Sequence, residues 1–147
     1  MAVPLVFSQR GRLANVVVGV RNQSKGTVVA SQVRVADSSL ARMVGLLNRS
    51  HLEPGEGLWI YPSNAIHTVG MRFAIDVVFL DRGRSPGGEP CSRRSMYRVR
   101  RIYHWLAPWR ITRFVWGAAG VLELAAGAIE ASRTEVGDEL EIRRLET

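Results

Sequence analysis

Apolar and polar positions follow a short, strand-like rhythm through most of the chain and a helical one in a single stretch. Val16 to Val20 and Thr27 to Ala36 are rich in β-branched residues, and Asn22-Gln23-Ser24-Lys25-Gly26 supplies turn chemistry between them, so a β-pair is expected. From Ser38 the period changes. Leu40, Met43, Val44 and Leu47 fall at i, i+3, i+4 and i+7, the stripe of a short amphipathic helix with Ser38 or Ser39 as N-cap. Glu53 to Gly57 then turns the chain into Leu58-Trp59-Ile60-Tyr61, an apolar run that fits a strand covered on both faces.

Ile75 to Leu80 predicts a further strand, with Ile75, Val77 and Phe79 on one face and Asp76, Val78 and Leu80 on the other. Residues 81–95, with three glycines and two prolines, predict an exposed loop. Tyr97 to Trp105 fits a strand, Pro108 interrupts it, and Val121 to Leu124 fits either a strand or the start of an Ala-rich helix. A turn at Val136 to Leu140 feeds a last strand, Leu140 to Leu145. No internal repeat, heptad or low-complexity tail is present.

Length and composition place this pattern in one globular domain, residues 1–147: 46% of the residues are hydrophobic and 22% charged. Cys91 is the only cysteine, so no internal disulfide forms, and a cytoplasmic address is expected. Met1 to Val6 lacks the basic start and long apolar stretch of a signal peptide. Leu13 to Val20 is too short to span a bilayer, so the chain reads as mature and soluble.

The net charge of +7 is concentrated in one place. Between Pro90 and Leu122 stand Arg93, Arg94, Arg98, Arg100, Arg101, Arg110 and Arg113 with no acid, while the remainder of the chain balances to zero. Tyr97, Tyr103, His104, Trp105, Trp109 and Trp116 are interleaved with these arginines. That mixture suits a single-stranded nucleic-acid groove, an anionic surface, or a core with a basic rim. No RNA-binding module pattern accompanies it, so nucleic acid is the less favoured partner.

Motif chemistry is sparse. His51, His67 and His104 lack metal-ligand spacing, and neither a phosphate loop nor a nucleophile elbow occurs, so neither metal nor cofactor is expected. Asp76 stands out because it shares a face with Val78 and Leu80, where a lone ionised acid would cost several kcal/mol. Arg42, Arg49, Arg72 and His67 are its candidate partners. A structural ion pair or a backbone-bonded carboxylate is the preferred reading, and an oriented His67–Asp76 pair for proton transfer is the alternative. Glu123 is expected to be solvated whether it stands on a strand or a helix.

Several segments in order resemble the uncharacterised family known as domain of unknown function 192. They are Arg42-Met43-Val44-Gly45-Leu46-Leu47-Asn48-Arg49, Gly55-Glu56-Gly57-Leu58-Trp59, and His67 through Asp81. Pro108-Trp109-Arg110, Val121-Leu122-Glu123-Leu124 with Gly127, and Gly137-Asp138 complete the set, which covers about Val33 to Ile142. Leu47 stands where the family usually has methionine, and Ala74 and Ala126 where it commonly has proline.

The resemblance implies a mostly β, compact barrel-like domain with one or two short helices, and it moves Val121 to Leu124 toward a strand. It brings no known reaction. If the blocks converge, Arg42, Arg49, His67, Thr68, Arg72, Asp76 and Glu123 line a cleft beside Met71, Trp59 and Phe73, suited to a small polar or anionic ligand. An enzyme using His67 with Asp76 or Glu123 as acid and base is the rival reading, and binding to nucleic acid or an anionic surface through residues 93–116 is the third.

Overall fold

The computed structural model of the protein describes residues 16–36, 46, 49–82 and 93–145. Seven strands form a closed barrel: β1 (Val17–Asn22), β2 (Thr27–Ala36), β3 (Glu56–Ile60), β4 (Ile75–Arg82), β5 (Arg94–Leu106), β6 (Ala118–Ala125) and β7 (Glu139–Arg144), in spatial order β1-β2-β3-β6-β4-β5-β7. One short helix, α1 (Ala128–Ser132), follows β6. The hairpin of β1 and β2 forms around the Asn22 to Gly26 turn, where Gly26 has φ 69°. Among the described strands only β2 and β3 pair in parallel. The segment connecting them contains the expected helix at Ser38 to Leu47, which lies outside the described residues except for Leu46, helical and buried.

Closure gives every strand an inner and an outer face, and the alternation along β4 sorts residues between them. Val78 and Leu80 join Trp59, Leu122, Leu124 and Ile129 inside the barrel. Ile75, Val77 and Phe79 join Leu58, Ile60 and Val121 in a second apolar cluster on the outer face. Gly120 leaves room for the Trp59 ring: a Cβ there would stand 2.4 Å from Trp59 Cη2. Residues 118–125 are therefore a strand, and the helix begins only after Gly127, whose φ of 94° breaks the strand direction.

A flap covers the second cluster. Residues 63–71 and 109–119 run antiparallel, joined by Thr68 N–H to Arg110 O (2.8 Å), Trp109 N–H to Thr68 O (2.9 Å), Thr112 N–H to Ile66 O (2.9 Å) and Val115 N–H to Asn64 O (2.8 Å). Ile66, Met71 and Val115 point inward into the cluster. The expected loop at 81–95 is shorter at both ends, because Asp81 and Arg82 continue β4 and Arg94 and Ser95 open β5. Residues 83–92 lie outside the described set. Among the described residues no helix is long and apolar enough to cross a membrane.

Candidate functional site

Asp76 is fully buried on the inner face of β4, and its donors are backbone amides. Its Oδ1 accepts from Trp105 N–H at 2.9 Å; its Oδ2 accepts from Gly127 N–H at 3.1 Å and Ile129 N–H at 2.9 Å. The β4–β5 register explains the first bond. Ile75 faces Leu106 but Val77 faces Tyr103, so β5 carries an extra residue there and the Trp105 amide turns to the carboxylate. The other two donors are free amides at the start of α1, which an anion satisfies. Asp76 thus ties a bulge and a helix start to the barrel end.

The remaining expected residues do not gather around it. Glu123 pairs in register with Val77, whereas Asp76 pairs with Leu124, so the two carboxylates leave the sheet on opposite faces. Glu123 is fully buried, not solvated, because Leu58 beside it belongs to the covered outer cluster. His67 stands half-buried in the flap, bridged to Ile111, with the sheet between it and Asp76. Thr68 is buried and spent on the flap itself, donating to Ala107 O (2.7 Å) and accepting from Arg110 N–H (2.9 Å). Met71 is core and Arg72 is exposed, while Trp59 lies inside the barrel against Tyr97, away from Met71. Arg42 lies outside the described residues. The single cleft anticipated from these groups does not form among those described.

Arg49 leads to a different concavity. A cavity of about 420 Å³ opens on the outer face of β2 and β3, lined by Gln32, Arg34, Arg49 and Glu56 as polar groups and by Val17, Leu46, Leu52, Leu58 and Leu145 as apolar ones. Cross-strand pairing puts Val17, Arg34, Leu58 and Glu123 in one row, so the buried Glu123 is the next strand position beyond the Leu58 floor. Arg49 Nη2 donates to Glu56 Oε2 at 2.6 Å, with both side chains about one-third exposed. Burial alone would raise the Glu56 pKa. The Glu53 N–H, Arg49 and, at longer range, Arg34 outweigh it and hold that carboxylate below its ordinary value. Among the described residues two guanidinium groups, Arg34 and Arg49, and one carboxylate, Glu56, form the charged rim over an apolar floor.

Comparison with known proteins identifies the lineage. Residues 20–85 match the model of the DUF192 family, described as Uncharacterized ACR, COG1430. A UPF0127 protein of Thermococcus sibiricus is 30% identical over 82% of this chain and 71% of its own length. A second, from Pyrococcus furiosus, is 32% identical over 84% of this chain and 97% of its own. The chain belongs to the DUF192 family.

Two solved structures share this DUF192 barrel. One is a proposed transcription regulator from Sinorhizobium meliloti (TM-score 0.63, 22% identity, 86% of this chain and 92% of that one). The other is a protein of unknown function from Novosphingobium aromaticivorans (TM-score 0.61, 19% identity, 84% and 82%). At these identities the likeness establishes the fold. Most of the cavity lining of this DUF192 member, Gln32 through Leu58, falls within the matched residues, whereas the basic segment 93–116 lies beyond them.

That segment divides in the structure. Arg94 pairs with Glu141 at 2.6 Å, Arg98 with Glu139 at 3.8 Å and Arg100 with Asp81 at 3.4 Å, so these three are engaged within the barrel wall. Arg101 lies over the Tyr103 ring at 5.7 Å, and Arg93, Arg110 and Arg113 are exposed. Arg34 and Glu56 also line the cavity and are not among the residues expected from the sequence. Their signal was the outward alternation of Gln32 and Arg34 on β2, which means little until β3 is known to lie alongside.

Proposed function

We propose that this domain is a cytoplasmic small-ligand-binding or accessory protein whose ligand is an amphipathic anion held at the Arg34–Arg49 cavity. The observation that carries this reading is the placement, among the described residues, of two guanidinium groups and a single carboxylate over a floor of Leu46, Leu52 and Leu58. A carboxylate or phosphate group would be taken by Arg34 and Arg49 together, since guanidinium presents a planar fork of donors to such oxygens. The apolar body of the ligand would cover the leucines, and the volume is that of a small-molecule site.

Native mass spectrometry of the protein purified gently from its own host tests the reading. A small mass is expected on wild type and is lost on denaturation. It is also lost from R34Q, whose exposed side chain can be changed without disturbing the core. A bound mass retained equally by R34Q would assign the ligand elsewhere.

A further inference from the structure

The outer face of the flap carries an unusual group of side chains. Ile66, Thr112 and Val115 point inward, and Trp109, Ile111, Phe114 and Trp116 point outward, with exposures of 66%, 78%, 57% and 80%. Phe114 and Trp116 lie against each other with ring centroids 5.7 Å apart, and Trp109 and Ile111 are exposed on the same segment. A folded domain exposing several large apolar groups together bears a binding surface there, because each leaves apolar area in water at about 25 cal/mol per Å². Arg110 and Arg113 stand among them, and among the described residues neither forms an ion pair. No acid occurs from Pro90 to Leu122, so nothing in this stretch of sequence offsets the charge.

We infer that this flap face docks on an anionic phospholipid surface. Tryptophan and arginine are the side chains that suit the headgroup level, where a ring is half in hydrocarbon and a guanidinium meets phosphate. Ile111 and Phe114 decide between partners. An aliphatic side chain and a non-polar ring gain from entering the acyl boundary, whereas a nucleic-acid groove has no use for the isoleucine, the most exposed of the four apart from Trp116. The two hydrogen-bonded segments beneath give the patch a fixed backbone, since Thr68 ties both of them through its hydroxyl and its amide. This inference is independent of the cavity, which lies on β2 and β3 and is lined by other residues.

Co-sedimentation of the full chain with vesicles tests it, using phosphatidylcholine alone against phosphatidylcholine mixed with phosphatidylglycerol. The chain is expected to sediment with the mixed vesicles, with a blue shift of tryptophan emission, and to release as salt is raised. R110Q/R113Q should weaken the partition roughly thirtyfold, from about 1 kcal/mol for each arginine near the surface. W109S/W116S should abolish the emission shift while leaving the thermal midpoint unchanged, because both side chains are exposed. Equal binding to both vesicle types, or to neither, would overturn the inference. So would retention on single-stranded oligothymidine with vesicles ignored, or a concentration-dependent dimer dissolved by W109S/W116S; these outcomes would reassign the face to nucleic acid or to a second copy of the chain.

Discussion

A carboxylate removed from water must be met by donors, and at Asp76 the donors are three amides of an irregular backbone. Asp76→Asn keeps the shape but turns one acceptor into a donor aimed at an amide hydrogen. A loss of about 2–3 kcal/mol is expected in urea unfolding at neutral pH, as for a buried charged hydrogen-bond acceptor. A loss below about 0.5 kcal/mol would contradict the structural role. The residue was conspicuous in the sequence because it shares a face with Val78 and Leu80. Its partners were not legible, because Trp105 and Gly127 lie 29 and 51 residues away and donate through backbone that has no side-chain signature.

At the scale of elements, the barrel end that carries Asp76 is also held by a polar cluster joining the β1–β2 turn to the turn before β7. Asn22 Nδ2 donates to Asp138 Oδ2 (2.9 Å) and Thr134 Oγ1 (3.2 Å), and Lys25 Nζ reaches Asp138 at 2.8 Å. Burial alone would raise the Asp138 pKa. The Asn22 amide, the Lys25 ammonium and the Glu135 N–H outweigh it and hold the pKa below the ordinary 3.8. A lowered carboxylate pKa contributes stability that is complete above the unfolded value and disappears as pH falls through the folded value. Asp138→Asn should therefore cost about 1–3 kcal/mol at neutral pH. The gap to wild type in urea unfolding should close below pH 3.8. A gap that persists undiminished in acid would show that charge is not what Asp138 contributes.

Strands are legible by alternation at five of the seven positions, with β3 displaced toward its turn at Glu56 and β6 left open by its period. The period of Val121 to Leu124 was ambiguous because four apolar-flanked residues fit either element. Pairing with β3 and β4 on both sides settles it. Glu123, expected in solvent, is fully buried. Alternation gives a residue's face but cannot say that a second layer, built from residues 63–71 and 109–119, covers that face.

For the whole molecule, the barrel class was legible and the strand order was not, because closure depends on a parallel β2–β3 pairing that no local pattern encodes. The same blindness scattered the expected cleft. Its members are close in the sequence blocks but divided between the inside of the barrel, the flap and the outer wall of β2 and β3. Among the described members of that set only Arg49 lines the cavity, and Glu123 is the next position in the row beneath it.

The location of the ligand site is tested most directly by nuclear magnetic resonance of the full chain titrated with hexyl phosphate, watching leucine methyls and arginine side-chain N–H signals. Saturable shifts are expected at Leu46, Leu52, Leu58, Arg34 and Arg49, absent from R34Q. If those signals stay fixed while His67, Thr68 and Arg72 move, the ligand belongs to the flap and the cavity reading is wrong.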